Sequence, residues 1–233
     1  MLESLKEEVY AANMLLVKHG LVINTWGNVS GIDREKGLFV IKPSGVEYSE
    51  LRPSDLPVLD LDGNQIEGEL RPSSDTPTHL ALYRIFPEIG GITHTHSLYA
   101  TSFAQARMEI PPYGTTHADY FPGPVPLTRD MTAEEIEKDY EYNTGLVIAE
   151  AIQDAGADRI HAALVRSHGP FTWGKNAAAS VDVSYVLEVI AQMAFNTQLL
   201  RSSGCSETMD NTLLHKHFDR KHGPKAYYGQ IKK

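Results

Sequence analysis

The chain carries the stretch Ile92-Thr93-His94-Thr95-His96-Ser97, in which one threonine separates two histidines inside an apolar segment. Residues i and i+2 of a β-strand point to the same face, so a strand here would place the His94 and His96 imidazoles side by side. A third histidine, His168, closely follows another apolar run, 162–165. Three imidazoles with one open position are a usual ligand set of catalytic zinc. The sequence therefore favours a metal site; ordinary hydrogen-bonded histidines are the alternative.

The composition and the absence of internal boundaries indicate one acidic domain. The 233 residues carry a formal net charge of −9, and no Pro/Gly/Ser-rich linker, low-complexity tract or internal repeat divides them. We expect no nucleic-acid partner, because such binding depends on neutralising phosphates. A small phosphorylated substrate is compatible with this charge, since a few local donors suffice for one phosphate.

The same composition predicts a cytoplasmic location. The mean hydropathy is −0.28, and the sequence shows no uninterrupted apolar run of membrane-spanning length, so we expect no membrane association. The N-terminal segment 1–8 has neither a basic region nor an apolar core, which argues against an ordinary secretory signal. The single cysteine, Cys205, cannot form an intrachain disulfide, as expected in a reducing compartment.

Apolar periodicity predicts helices interleaved with short strands, which indicates an α/β layered domain with a mixed sheet. The predicted helices cover residues 2–19, 79–86, 98–106, 133–155, 176–200 and 207–221. The predicted strands cover residues 27–32, 38–42, 92–97 and 162–165, with a hairpin at 59–66 that turns at Asp62-Gly63. The segment 111–128 is rich in Pro, Gly, Thr and aromatic residues and is predicted to form long functional loops.

The segment Gly169-Pro170-Phe171-Thr172-Trp173-Gly174-Lys175-Asn176 nearly matches a nucleotide-binding Walker A loop. It ends in Asn176 where a Ser or Thr must bind magnesium, and it holds bulky residues where the backbone must wrap phosphate. We therefore reject that function. We predict instead a turn that leads from His168 into the long helix.

Two segments are candidate phosphate-binding loops. Ile41-Lys42-Pro43-Ser44-Gly45 places a lysine and a Ser-Gly turn at the end of a strand. Arg71-Pro72-Ser73-Ser74-Asp75 presents two hydroxyls and backbone N–H groups at a helix start, where the helix dipole favours an anion. Either segment alone is a weak signal, because a Ser-rich helix start is usually only a cap.

Two further segments hold acid–base candidates. Thr115-Thr116-His117-Ala118-Asp119-Tyr120 lies in the long middle loops, and Lys225-Ala226-Tyr227-Tyr228-Gly229 lies near the C-terminus. A tyrosine close to the chain end is more often a surface residue or a packing anchor than an acid. These patterns by themselves leave the catalytic role open.

Taken together, these segments resemble the L-ribulose-5-phosphate 4-epimerases of the class II aldolase/adducin superfamily. The matching segments are Thr25–Ser30, Ile41–Gly45, Pro72–His79, His94–His96, Gly114–Tyr120, Ser167–Phe171 and Ala226–Gln230. The resemblance implies one domain over residues 1–233, a three-layer α-β-α sandwich with a mixed, largely antiparallel central sheet. It also implies a homotetramer with active sites at the subunit interfaces.

The resemblance further implies a role for each site residue. His94, His96 and His168 would hold Zn²⁺, with Asp75 beside them, and imidazole ligands also accept Mn²⁺ or Co²⁺. The phosphate-binding set would be Asn28, Lys42, Ser44, Gly45, Ser73 and Ser74. Thr115 and His217 would line the substrate. Asp119 and Tyr228 would be the acid/base pair, reaching the metal site of a neighbouring subunit.

The chemistry implied is inversion of C4 in a 2-ketopentose 5-phosphate, interconverting L-ribulose 5-phosphate and D-xylulose 5-phosphate. The C4 hydrogen is not adjacent to the C2 carbonyl, so its removal leaves no stabilised anion. A nicotinamide route is disfavoured, because no convincing G-x-G-x-x-G fingerprint follows a strand. The remaining route breaks and remakes the C3–C4 bond beside a Lewis acid. The expected setting is pentose breakdown, with L-arabinose as the usual source.

Two alternatives come from the same superfamily. A sugar-phosphate aldolase of the fuculose-phosphate type would share the histidines and phosphate loops, but typically carries Glu where this chain has Asp75. An adducin-like interaction module should lack the intact histidine triad. The presence of Asp75 and of all three histidines favours the epimerase.

Overall fold

The computed structural model describes residues 2–201, 207–224 and 226–228, and it centres on one β-sheet. Cys205 lies outside the described residues. Within them the strands follow the order β4-β3-β2-β1-β5-β7-β6, and every neighbouring pair is antiparallel. The strands are β1 (Asn28–Asp33), β2 (Leu38–Ile41), β3 (Val58–Asp60), β4 (Gln65–Glu67), β5 (Gly91–His94), β6 (Ala162–Val165) and β7 (Gly169–Gly174).

Helices precede, separate and follow these strands. They are α1 (Glu3–Lys18), α2 (Thr76–Ile85), α3 (Leu98–Gln105), α4 (Thr115–Ala118), α5 (Ala133–Glu137), α6 (Tyr140–Ala151), α7 (Ala177–Leu200) and α8 (Asn211–His222). The α/β class is therefore confirmed. The sheet was expected to be mixed and largely antiparallel; in the described residues all neighbouring strands pair antiparallel, and the parallel pairing is limited to an isolated bridge between Leu127 and Leu164 of β6.

Successive residues of β2 enter different hydrophobic clusters. Phe39 and Ile41 pack in one cluster with side chains of α2 and α6, whereas Val40 packs in another with side chains of α1 and α7. This alternation follows the two-residue period of a strand. Alternate residues of β2 therefore pack against different helices. The polar residues at the ends of β1, β2 and β5 are left to line a site.

The prediction of a turn over 169–176 was wrong for most of its length. Residues Gly169–Gly174 form β7, which pairs with β5 on one side and β6 on the other. Phe171 and Trp173 are buried in the core cluster, so they supply the alternating apolar pattern of a strand. The flanking Gly and Pro residues concealed that pattern in the sequence.

The helix predicted over 133–155 is interrupted. It divides into α5 and α6 at Asp139, whose φ of 54° lies in the left-handed region. Thr132 and Glu135 form a capping box that starts α5, and this short helix ends at Glu137. The break gives α6 a separate start at Tyr140, beside the cavity described below.

Helix α7 is long and apolar enough to cross a membrane by length and composition. Its inward residues, including Val181, Leu187 and Ile190, are buried against the sheet and neighbouring helices. The core helix of a globular domain passes the same test, and the packing of α7 fits that description.

Candidate metal centre and active site

The three histidines meet at one end of the sheet. His94 is the last residue of β5, His96 follows in the loop before α3, and His168 lies in the turn between β6 and β7. The strand predicted over 92–97 therefore ends two residues before His96. The loop nevertheless brings the two side chains together, with their Nε2 atoms 3.1 Å apart.

The ligand atoms of these histidines form a compact group. One nitrogen from each of His94, His96 and His168 lies within 4.8 Å of the other two. A tetrahedral zinc ion bound at about 2.0–2.1 Å would separate its nitrogen ligands by about 3.3 Å, close to the His94–His96 spacing. The three imidazoles are thus positioned to bind a divalent metal ion.

Neighbouring groups orient two of these rings. The Nδ1 of His94 lies 3.0 Å from the Pro170 carbonyl oxygen, which can only accept, so Nδ1 carries the proton and Nε2 presents a lone pair. The Phe171 ring stacks on His94 with centroids 4.1 Å apart. The Nδ1 of His168 lies 3.4 Å from the Tyr140 hydroxyl. Such second contacts normally fix the orientation of metal-binding histidines.

Electrostatics keep two of the ligands in the neutral form that binds metal. Burial lowers the pKa of His168 to about 4, helped by His94 and His96. Burial also lowers the pKa of His96. Because a metal competes with protons for imidazole nitrogen, the lowered pKa values of His96 and His168 favour binding of an ion.

Asp75 lies beside the histidines but outside their compact ligand group. Its Oδ2 accepts a hydrogen bond of 2.7 Å from the Asn28 amide, which also donates to Ser73 Oγ at 3.1 Å. Burial opposes ionisation of Asp75, but His94, His79 and the Asn28 hydrogen bond outweigh it, so the pKa of Asp75 lies below its ordinary value. The structure therefore gives the metal region an ionised carboxylate.

The histidines and both candidate phosphate loops open into one cavity of about 420 Å³. All six predicted phosphate-binding residues line it: Asn28, Lys42, Ser44, Gly45, Ser73 and Ser74. The two loops are joined by backbone hydrogen bonds, from Ser44 N to Arg71 O at 2.9 Å and from Ser73 N to Lys42 O at 3.1 Å. Serine residues of both loops and Lys42 thus line the same space as the metal ligands.

Lys42 is buried at the base of this cavity. Its Nζ donates to the Val46 carbonyl at 2.7 Å and lies 4.7 Å from the centre of the Tyr48 ring. Burial lowers the pKa of Lys42 to about 8. The ammonium group therefore both fixes the 43–46 loop and places positive charge behind the Ser-Gly turn.

The predicted acid–base residues form a second cluster that does not line the cavity of this chain. Asp119 accepts hydrogen bonds from Arg220 and from Nδ1 of His217, the latter at 3.0 Å. Tyr228 lies nearby, with its ring centre 4.9 Å from the Arg220 guanidinium. Thr115 precedes Asp119 by one turn of α4, and its carbonyl accepts the Asp119 N–H.

The same cluster holds Asp119 as a carboxylate. Burial opposes its ionisation, but hydrogen bonds from Arg220 and His217 outweigh that effect, so the pKa of Asp119 lies below its ordinary value. The structure thus brings Asp119, His217 and Tyr228 together, and it separates them from the histidine triad within one chain.

Sequence reasoning assigned no role to six residues that line the metal cavity: Thr25, Trp26, Gly27, Pro43, Tyr140 and Glu141. Thr25 and Trp26 stand in a segment that the resemblance had singled out, where only Asn28 was given a role. Tyr140 and Glu141 were hidden inside the continuous helix predicted over 133–155. The only local signal of the helix break was Asp139, because aspartate tolerates the left-handed backbone that it adopts there better than most residues.

Comparison with known proteins assigns the chain to a family. The sequence profile of the class II aldolase and adducin N-terminal domain matches residues 7–195. The chain therefore belongs to the class II aldolase and adducin family.

Solved structures agree with this assignment. An L-fuculose 1-phosphate aldolase is 27% identical, with a TM-score of 0.76 over 91% of this chain and 95% of that one. The L-fuculose-1-phosphate aldolase of Thermus thermophilus is 26% identical, with a TM-score of 0.68 over 86% and 98% of the two chains. YgbL from Klebsiella pneumoniae, whose name leaves open aldolase, epimerase or decarboxylase, shares the fold at 23% identity and a TM-score of 0.70, over 93% and 99%.

Proposed function

We propose that this protein is a metal-dependent L-ribulose-5-phosphate 4-epimerase that inverts C4 by retro-aldol cleavage and re-addition at C3–C4. The observation that carries the proposal is the shared cavity of the histidine triad and the two phosphate loops. A five-carbon sugar phosphate can present its phosphate to one end and its C2 and C3 oxygens to the other. The class II family assignment supports this kind of substrate.

Different residues of the cavity bind the phosphate and the metal ion. The Ser44, Ser73 and Ser74 hydroxyls, with the positive charge of Lys42, bind the phosphate and orient the carbon chain. His94, His96 and His168 would hold the divalent ion, which supplies Lewis acidity to the C2 and C3 oxygens when bound. Zn²⁺ is our proposed ion, with Mn²⁺ or Co²⁺ as substitutes.

Asp119 and Tyr228 are proposed to exchange protons with the C4 hydroxyl on the two faces of the freed aldehyde. The ionised form of Asp119 is the one that can accept a proton, and a neutral tyrosine can donate one. Each such role contributes roughly 10²–10⁴-fold to the rate. His217 and Thr115 would line the reacting end beside them.

The proton-transfer residues must come from a second copy of the chain if they act at this cavity. Within one chain, Asp119, His217 and Tyr228 do not line it. We therefore propose a homotetramer in which one subunit completes the metal site of its neighbour. We also propose a single domain of three α-β-α layers and a cytoplasmic location.

A fuculose-phosphate-type aldolase is the second candidate, favoured by the structural neighbours of that name. The two candidates differ at Asp75, where the resemblance leads us to expect Glu in the aldolase. The shorter Asp75 carboxylate is held by Asn28 and stays outside the compact ligand group. This favours the epimerase.

One experiment separates the two. Purified protein is analysed for bound metal and assayed for conversion of L-ribulose 5-phosphate to D-xylulose 5-phosphate before and after chelation. A parallel sample receives dihydroxyacetone phosphate and glycolaldehyde. We expect chelator-sensitive epimerisation; fast condensation without epimerisation would make the protein an aldolase. A metal-free protein of normal stability without chelator-sensitive turnover would favour an interaction module.

A further inference from the structure

Trp26 stands out in the lining of the metal cavity. Its side chain is 54% exposed, whereas Trp173, the second tryptophan, is 1% exposed and packs in the core. Most of the surrounding lining is polar: histidines, serines, Asn28 and Asp75. An indole in such a place adds the largest apolar surface available to a bound molecule.

The backbone that carries this indole is held firmly. The Tyr48 hydroxyl donates to the carbonyl oxygens of Trp26, at 3.2 Å, and Gly27, at 2.9 Å. Gly27 has a φ of 81°, and a Cβ there would meet Val22 at 2.9 Å and the His94 carbonyl at 3.0 Å. The point at which the Trp26 side chain leaves the backbone is therefore fixed, which limits the backbone entropy lost when the indole contacts a ligand.

The indole lies close to the metal end and is connected to the phosphate end. Its ring centre is 5.9 Å from that of His96. The same Tyr48 that fixes the Trp26 backbone has its ring 4.7 Å from the Lys42 ammonium group. Trp26 therefore occupies a position from which it can contact the carbon atoms between a bound phosphate and the metal.

We propose that Trp26 is a specificity-determining residue whose indole packs against the carbon chain of the phosphorylated substrate. This inference rests on the proposed function only in that the cavity binds a sugar phosphate; it does not require epimerisation. Indole faces bind C–H surfaces by burying apolar area. Inorganic phosphate, which has no carbon chain, gains nothing from Trp26.

Equilibrium binding to the zinc-loaded protein tests this inference without measuring a rate, because epimerisation would leave an equilibrium mixture of two pentulose phosphates that differ only at C4. Dissociation constants for L-ribulose 5-phosphate and inorganic phosphate are measured for the wild type, Trp26→Ala and Trp26→Phe. We expect Trp26→Ala to weaken binding of the sugar phosphate about tenfold, equivalent to about 1.4 kcal/mol, and to change phosphate binding less than twofold. Trp26→Phe should keep sugar-phosphate binding within about threefold of the wild type, because it retains an aromatic face.

Ile23→Ala is the matched control. Ile23 is an exposed apolar residue of the same loop that does not line the cavity, so its removal should leave both dissociation constants unchanged. Zinc content and melting temperature are checked in every variant.

Tryptophan emission gives an independent readout. L-Ribulose 5-phosphate should shift the emission of the wild-type protein to shorter wavelength, and Trp26→Phe, which leaves only the buried Trp173, should lose that shift. Unchanged sugar-phosphate affinity in Trp26→Ala would overturn the inference, as would equal weakening for both ligands. Tenfold selective weakening without any epimerisation would support Trp26 while refuting the proposed reaction.

Discussion

Asp119 and Arg220 form a two-point ion pair, with Arg220 Nη2 at 2.7 Å from Oδ2 and Nε at 3.1 Å from Oδ1 of the carboxylate. The pair ties the short helix α4 to the C-terminal helix α8. It also fixes the position of His217 and sets cationic side chains beside Tyr228. The proposed proton-transfer residues thus form one cluster, which does not line the metal cavity of its own chain.

If this cluster serves a neighbouring subunit, two inactive variants should complement each other. Asp119→Asn retains an intact metal site, and His96→Asn retains an intact Asp119 cluster. After random mixing at equal amounts in a ring-shaped tetramer, about a quarter of the sites would combine the two intact halves. We expect epimerase activity to recover to about that fraction. No recovery despite subunit exchange, verified by mass spectrometry, would show that each chain acts alone.

Tyr228→Phe should slow turnover much more than it weakens substrate binding. The phenolic hydroxyl is the only atom removed, and its proposed task is proton transfer, so kcat should fall roughly 10²–10⁴-fold with KM changed less than about threefold. Steady-state kinetics measure both constants. Tyr227→Phe alters the adjacent tyrosine, which is 65% exposed, and should leave both constants near wild type. Unchanged turnover in Tyr228→Phe would remove this residue from the mechanism.

His96→Asn should lose the metal while the chain stays folded. Its side chain supplies one of three nitrogen ligands and comes from a loop beyond β5, so the sheet does not depend on it. We expect metal content, measured by elemental analysis, to fall to less than about a tenth of wild type, with an unchanged far-UV circular dichroism spectrum. His215→Asn, at an exposed position of α8, is the control. Tight zinc retention in His96→Asn would argue against the triad.

Tyr140→Phe should weaken metal binding without abolishing it. The hydroxyl lies 3.4 Å from His168 Nδ1 and does not belong to the ligand group. Removing such a supporting contact typically costs 10–100-fold in metal affinity, and at this long distance we expect about tenfold. Competition with a chromogenic chelator measures the change. Tyr142→Phe, two residues away and outside the cavity lining, should have no effect; equal affinities in all three proteins would leave Tyr140 without a role at the metal.

Sugar-phosphate binding should weaken as the pH rises through about 8. Burial lowers the pKa of Lys42 to about 8, so its ammonium loses the proton well before an exposed lysine would. A phosphate monoester is already doubly ionised above about pH 7, so the ligand contributes little to the change. Isothermal titration between pH 7 and 9.5 measures it. In Lys42→Met, binding should be weaker at pH 7 and nearly independent of pH; a persisting dependence would assign the effect to another group.

That the three histidines and the two candidate phosphate loops would meet at one site could be predicted from the sequence, because metal and phosphate binding demand particular residue types. His94 and His96 are still positioned as a pair of metal ligands although His96 lies outside the strand, because the loop after β5 brings both rings together. Backbone path was harder to predict. Gly169 and Pro170 suggested a turn, yet pairing on both sides makes the segment a strand. Trp26 was not predicted as a site residue, because the sequence does not show that this tryptophan lines a cavity.

The family resemblance alone implied that Asp119 and Tyr228 serve a neighbouring subunit; local patterns did not predict the position of their cluster outside the cavity of its own chain. That position depends on how α8 returns to pack on α4, a long-range contact that local patterns do not encode. The two candidate phosphate loops were predicted separately, and their pairing through backbone hydrogen bonds around Lys42 and Ser73 was found only in the structure. Residues whose types a particular chemistry demands were thus predictable even when far apart along the chain, as with His96 and His168, whereas the packing of distant segments was not.

The left-handed backbone at Asp139 makes the wall of the cavity at residues 140 and 141 sensitive to substitution of Asp139. An uninterrupted helix would advance about 100° per residue through this point and would aim positions 140 and 141 according to the axis of α5. The reversal of one dihedral frees α6 to take its own direction, with Thr78 anchoring its first turn through the Glu141 carbonyl. A β-branched residue at 139 would strain that conformation, so a substitution remote from every ligand could still tilt the wall beside the third histidine.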